Sequence, residues 1–183
     1  FINFGGDNDL GYIALEEAKD AQADLIFSMG SSSTKFVNDA YRGGAIPVVS
    51  VCSKDPVILG HLNDYINGSN SNLAFTSLDV SIELQIEYLR KLMPDLSNIV
   101  VMYAKNNSSA VATQAEPLKK ISATLGIRTI DAVVYDQGNA RAELDLIMPD
   151  IVRQIKGYDP EFKETIFWIT GSTSVFREIE TIN

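Results

Sequence analysis

The 183-residue chain has one cysteine and one histidine, and its 15 lysines and arginines are outnumbered by 24 acids. Each scarcity excludes something. A lone Cys52 rules out an internal disulfide framework and any multi-cysteine zinc or iron–sulfur site. A lone His61 leaves a serine or cysteine nucleophile with only that residue as a histidine base. The net charge of -9 removes the basic footprint that nucleic acid or an anionic membrane surface requires. No apolar run approaches the ~20 residues that span a bilayer; the longest, such as Ala45–Cys52 and Asn98–Ala104, are strand-sized. Apolar residues are 45% and charged residues 21% of the chain, the proportions of a folded globular protein.

What is present is an alternation of short apolar runs with amphipathic ones. Asp24–Gly30 reads as a strand, and the serines after it can cap a helix over Lys35–Arg42, with Phe36, Val37, Ala40 and Tyr41 on one stripe. Ile46–Cys52 is the next strand, with Pro47 near its start, where a missing donor is tolerated. The rhythm continues through Asn72–Ser77 as strand, Val80–Met93 as helix, Asn98–Ala104 as strand and Ala110–Leu125 as helix, with Gly126 as its C-cap. Arg128–Tyr135, Ala140–Ile155 and Thr165–Thr170 follow as strand, helix and strand, and a last helix starts at Ser174. Nearly continuous apolar strands separated by helices indicate an α/β fold of parallel βαβ units covered on both faces. Pro117 and Pro149 fall inside helical stretches, and each is expected to kink its helix or break it in two.

The one long polar stretch, His61–Ser71, lies before the Asn72–Ser77 strand, after which a fresh set of βα units begins. Two small α/β lobes are therefore expected, residues 1–77 and 78–183, with Asp79 as N-cap of the following helix.

Catalytic signatures are missing. There is no phosphate loop, no dinucleotide Gly-x-Gly-x-x-Gly and no Gly-x-Ser-x-Gly elbow. His61 sits in polar sequence as a solvated or capping residue, and acids such as Glu83 and Glu87 read as a solvated helix face. What recurs is polar turns after strands: Gly30–Thr34, Cys52–Pro56, Lys105–Ser109, Tyr135–Asn139 and Thr170–Ser174. In open parallel sheets ligands bind at this edge, where helix N-termini aim free N–H groups into a crevice. The same residue types are also preferred N-caps, so each turn supports both readings. Asp55 is either the partner of a ligand cation or a turn-capping aspartate. Tyr103 and Tyr135 close strands and either lie against a ligand ring or form the rim of the core. Thr170 and Ser172 complete the candidate ligand set from the last polar turn.

Asp24-Leu25-Ile26 with Met29-Gly30-Ser31, then Ile46-Pro47-Val48-Val49, then Asp55-Pro56-Val57, resembles the periplasmic substrate-binding proteins of the ABC-transporter family that includes tryptophan- and tyrosine-type binders. The resemblance runs on through Asn72–Ser77, Ile82–Pro94 and Asn98–Asn107, with a trace to Gly126, roughly two thirds of the chain. Ala23 stands where that family usually has proline, and Pro117 and Pro149 also depart from its pattern. The resemblance implies a type I periplasmic-binding fold, two Rossmann-like lobes with parallel sheets closing on a small molecule. Relative to it, the chain reads as an interior portion, incomplete at both ends, that lacks the first strand and helix as well as the distal part. The opening Phe1-Ile2-Asn3-Phe4 carries no secretory signal, which is no evidence against export. Carried over as pocket positions are Ser31, Ser32, Ser53, Asp55, Thr76 and Asn106.

The implied function is that of an extracytoplasmic solute-binding component, periplasmic or lipid-anchored. It would bind a small polar or aromatic, amino-acid-like metabolite and work with a membrane permease, without catalysis, cofactor, metal or nucleic acid. The alternative is the ligand-sensing region of a signalling receptor or transcription regulator; an α/β enzyme of unknown chemistry is a third reading.

Overall fold

The computed structural model describes residues 1–178. By chain contacts it divides into two compact units, Phe1–Asp79 and Val80 onward.

The first unit opens with helix α1, Asn8–Asp20, capped by Asp7, whose carboxylate accepts the N–H groups of Asp9 at 2.9 Å and Leu10 at 3.4 Å. Strand β1 (Ile26–Met29), helix α2 (Ser31–Tyr41) and strands β2 (Val48–Val51) and β3 (Leu73–Phe75) follow. The strands pair in parallel in the order β1-β2-β3. Helix α2 begins four residues before the expected Lys35. Gly30 takes the N-cap position at φ +87°, a conformation that favours glycine, and no side chain caps the helix. The serines expected as caps make other bonds: Ser33 meets Ser28 at 2.8 Å, and the next residue, Thr34, meets Ser50 at 2.6 Å, both between α2 and the sheet.

Alternation along these strands gives the sheet two different faces. One buries Val48 and Leu73 against Leu15, Val37 and Tyr41 of α1 and α2. The other carries Phe27 and Met29, 65% and 60% exposed.

The second unit is built on strand β4 (Asn98–Ala104), buried along all seven residues. Strands β5 (Arg128–Val134) and β6 (Thr165–Ile169) pair with it in parallel on either side, in the order β5-β4-β6. Val100, Met102 and Ala104 enter one core with helix α6 (Ala140–Lys156). Ile99, Val101 and Tyr103 enter the opposite core with helix α3 (Ile82–Leu92) and the α5 helix (Glu116–Thr124). An apolar run without alternation is what a central parallel strand covered on both faces requires.

The prolines behave differently from each other. The short α4 (Ser108–Ala110) passes into a π-turn over Val111–Ala115 before α5, and the Glu116 N–H reaches back five residues to the Val111 carbonyl. Pro117 has no N–H to offer Thr113 and its ring crowds that carbonyl; the widened turn accommodates both. The expected break there is a π-turn. At Pro149 the helix is not broken in two: α6 runs through it. Pro149 and Asp145, the residue whose carbonyl loses its bond, both lie on the exposed face, where water replaces the missing donor. Asp79 also differs from expectation. Ser81 caps α3 by accepting from Leu84 N–H, and the Asp79 carboxylate accepts from Asp55 N–H at 2.8 Å. Thr173–Phe176 forms a last short helix, α7, and the expected continuation beyond residue 178 lies outside the described residues.

Candidate functional site

Each unit gathers polar loops at the carboxyl ends of its strands. In the first unit the rim consists of the start of α2, the turn after β2 and the segment after β3. Helix α2 enters the rim with its first-turn N–H groups uncapped. Ser31, half-buried, accepts the Lys54 N–H at 3.1 Å and ties α2 to the β2 turn, while Ser32 is exposed beside it. The Thr76 hydroxyl donates to the Ser50 carbonyl at 2.8 Å and binds the end of β3 to β2. Ser53 is 3% exposed, and its hydroxyl has no partner.

Asp55 is the hinge of this rim. One carboxylate oxygen, Oδ1, accepts the N–H groups of Val57 at 2.8 Å and Ile58 at 3.0 Å, the turn-capping role; Asp79 holds its own N–H. Tyr65, from the long loop between β2 and β3, is 59% exposed over the whole residue. Local desolvation of its hydroxyl, reinforced by the nearby Asp55 carboxylate, pushes the phenol up to about 12. Burial likewise lowers the Lys54 ammonium, against the opposing pull of Asp79. The rim thus combines uncapped helix N–H groups, two carboxylates, a phenol and an ammonium. Tyr65 and Lys54 had no motif to announce them; only the fold brings Tyr65 back to Asp55.

His61 belongs to the same loop, and its place corrects the reading of a solvated residue. It is 7% exposed and stacks on Phe75, ring centroids 5.8 Å apart, with Nε2 unpartnered. Arg42 clamps this loop by donating to the carbonyls of His61 at 2.7 Å and Ser69 at 3.0 Å. Burial lowers the His61 pKa below its ordinary value of about 6.5; Asp39 opposes this, and Lys35 and Arg42 add to it. The folded state therefore resists a proton that the unfolded chain accepts. This contribution to stability is whole above about pH 6.5 and is lost as pH falls toward the folded pKa. Urea midpoints compared at pH 7.5 and 5.5 should show the wild type weakening at the lower pH. The His61→Phe variant, which keeps a ring on Phe75, should weaken less; an equal drop in both would dissociate His61 from the effect.

The second unit's rim is laced more tightly. Strand order reverses at β4, whose chain crosses by α5 to β5 before α6 returns to β6 on the other side, so the loops after β4 and β6 flank a topological switch point. Asn107 caps α4 through Ala110 N–H and donates to the Gly171 carbonyl at 3.4 Å, while the Gln114 side chain accepts the Gly171 N–H at 2.6 Å. Asn106 is exposed and accepts from the Gln137 amide. The Glu143 carboxylate accepts the N–H groups of Tyr135 at 2.6 Å and Asp136 at 3.0 Å, fixing the turn that carries the 69%-exposed Tyr135 ring.

Three candidate positions on this unit lie inward. Tyr103 is 2% exposed, its hydroxyl near Asp131 and Lys119, and burial first and Asp131 second raise its pKa. Its ring is part of the core on the α5 side, the second of the two readings given for it. Thr170 and Ser172 are also buried: the Ser172 hydroxyl accepts from Ala104 N–H at 3.1 Å and from the Thr170 hydroxyl at 3.2 Å. They brace the loop after β6 against the end of β4. Glu143, Gln114 and Gln137, absent from the sequence-based set, are the side chains that shape this rim.

Among the described residues, no three or more His, Cys, Asp or Glu side chains come together as a metal site, and no helix is long and apolar enough to cross a membrane.

Residues 5–159 match the family model described as ABC transporter substrate binding protein. The chain belongs to that family. Its fold also matches solved structures. The ABC domain from Streptococcus pneumoniae in complex with L-Trp has a TM-score of 0.70 at 15% identity, over 97% of this chain and 54% of that one. A ligand-free, open substrate-binding protein with adhesive properties from Clostridium difficile has a TM-score of 0.61 at 19% identity, over 96% of this chain and 54% of that one. A conserved domain protein from Vibrio cholerae has a TM-score of 0.59 at 18% identity, over 92% and 60%. No curated protein sequence matches the chain. This member of the ABC transporter substrate binding protein family spans a little over half the length of the solved chains it resembles, and its two parallel α/β units are those of a type I periplasmic-binding fold.

Proposed function

We propose that this family member is the extracytoplasmic solute-binding component of an ABC importer, and that one small amino-acid-like solute engages the polar rims of both units. The observation that carries the reading is the family match across residues 5–159. The make-up of the rims supports it: hydroxyl, amide, phenol and carboxylate groups sit at strand ends and helix starts, where many modest hydrogen bonds orient a polar ligand without a reactive group. Asp55, with Tyr65 beside it, is suited to a ligand ammonium, and the uncapped start of α2 to a carboxylate. The exposed Tyr135 ring offers a flat apolar surface to an aromatic side chain. Ser31, Ser32, Thr76 and Asn106 are the further proposed contacts. Tyr103, Thr170 and Ser172 act by holding the second rim in shape, and Ser53 sits beneath the first.

Closure follows if the ligand touches both rims only in one arrangement of the units, because a ligand shifts a conformational equilibrium by its differential affinity for the two states. A thermal-shift screen of the full-length gene product against amino acids, sugars and nucleosides tests the reading, since a ligand that binds only the folded state raises the midpoint by mass action. Aromatic or other amino acids should raise the melting temperature by several degrees at millimolar concentration; a response confined to sugars or nucleosides would overturn the amino-acid assignment.

A further inference from the structure

Residues 52–72 join β2 to β3 without forming a helix or strand. A segment of that kind holds its place by a few specific contacts, and here they are countable. The N–H groups of His61 and Leu62 both donate to the Pro56 carbonyl, at 2.7 and 3.1 Å. Arg42, just past the end of α2, ties the carbonyls of His61 and Ser69. The remaining anchor is the His61 ring, stacked on Phe75 of β3 and buried with Nε2 unpartnered.

That anchor holds only while the ring is neutral. A neutral imidazole with its proton on Nδ1 leaves just a lone pair at Nε2, whereas an imidazolium carries N–H on both nitrogens. A charged donor at Nε2 would be out of water with nothing to accept from it, a far costlier arrangement than the neutral one. The charges around the ring do not repair this. On α2, Asp39 attracts a proton to the ring but is already bound to Lys35, and Lys35 and Arg42 both repel one. Strand β3 presents Phe75. Within the loop itself, Asp64 is engaged by the N–H groups of Ile66 at 2.8 Å and Asn67 at 2.7 Å.

We propose that residues 61–69 form a pH-released strap: a proton on His61 drives the ring off Phe75 and frees this stretch, Tyr65 with it, from the first unit's rim while the strands and helices of that unit stay folded. The sign follows from linkage. In the open strap the ring returns to water and to its ordinary affinity for protons, which burial depresses in the closed one. Protons therefore favour opening. The opening constant is flat above about pH 6.5 and rises below it, approaching tenfold per pH unit until the stacked ring itself titrates. For solute capture, which rests on the function proposed above, the consequence is that acid withdraws Tyr65 from Asp55 and weakens the grip of the first rim.

Hydrogen exchange read by mass spectrometry on the full chain, with no ligand added, tests the strap separately from the solute reading. Protection factors, which already remove the intrinsic pH dependence of exchange, are compared at pH 7.5 and 5.5. The His61 and Leu62 amides should lose protection severalfold, with about tenfold as the ceiling over this interval, and the amides of α2 and β2 should change less than twofold. In His61→Phe, which keeps a ring on Phe75 but takes no proton, the selective loss should vanish. Should that variant misfold, the wild-type contrast between the strap and α2 carries the test alone. Strap amides that keep their protection at pH 5.5, a loss spread evenly over strap, α2 and β2, or an undiminished selective loss in folded His61→Phe overturns the proposal.

Discussion

Leu118→Ala should cost the second unit about 3 kcal/mol, the scale of a fully buried leucine truncated where the surroundings close only in part. Leu118 is 0% exposed and packs in the core with Ile86, Ile99, Val101 and Tyr103. It reaches that core because the π-turn over Val111–Ala115 resets the phase of the helix just ahead of Pro117. The single tryptophan, Trp168 on β6, lies against the same core, so its fluorescence during urea unfolding reports this unit. Leu125→Ala, at a 42%-exposed position near the end of α5, is the matched control and should move stability by less than about 0.5 kcal/mol. A Leu118→Ala midpoint no lower than that of Leu125→Ala would mean the leucine is not seated as described.

The sheets were legible in the sequence because a central parallel strand must be apolar on both faces, and Asn98–Ala104 declares that without help from its neighbours. Helix α1 was missed although its signals stand in the chain: Asp7 as a cap, then Leu10, Ala14, Leu15 and Ala18 at helical spacing. Serines 31–33 look like caps by residue type, but the glycine before them takes the N-cap and their neighbourhood on the sheet decides the bonds of Ser33 and Thr34. His61 lies in a polar run, yet its burial follows from Phe75, fourteen positions on, which no local pattern connects to it. Tyr103 closes a strand whose alternation points it at α5, so its inward side was open to reading from the strand's own period. The pairing of Tyr65 with Asp55 was not, since it depends on how the β2–β3 loop folds back.

Asp55→Asn should weaken an amine-bearing ligand by tenfold or more while leaving the melting temperature nearly unchanged. Asparagine keeps a side-chain oxygen to accept from Val57 and Ile58 N–H, so the turn stays capped, and only the negative charge facing the ligand ammonium is removed. Asp55→Ala removes both. It should show the same affinity loss together with roughly 1 kcal/mol of lost stability from the uncapped turn. Calorimetric titration and thermal melts on the two variants separate the roles. Equal affinities in wild type and Asp55→Asn, with a lower melting temperature in Asp55→Ala alone, would leave Asp55 a capping residue and nothing more.

The most direct test of solute capture by both units is a titration of one identified ligand into the wild type, Asp55→Asn, Asn106→Ala and the double variant. Binding shared by the two rims predicts that each single change weakens the same ligand about tenfold or more and that the double variant is weaker than either. A ligand whose affinity drops with a change on one rim and ignores the other contradicts it.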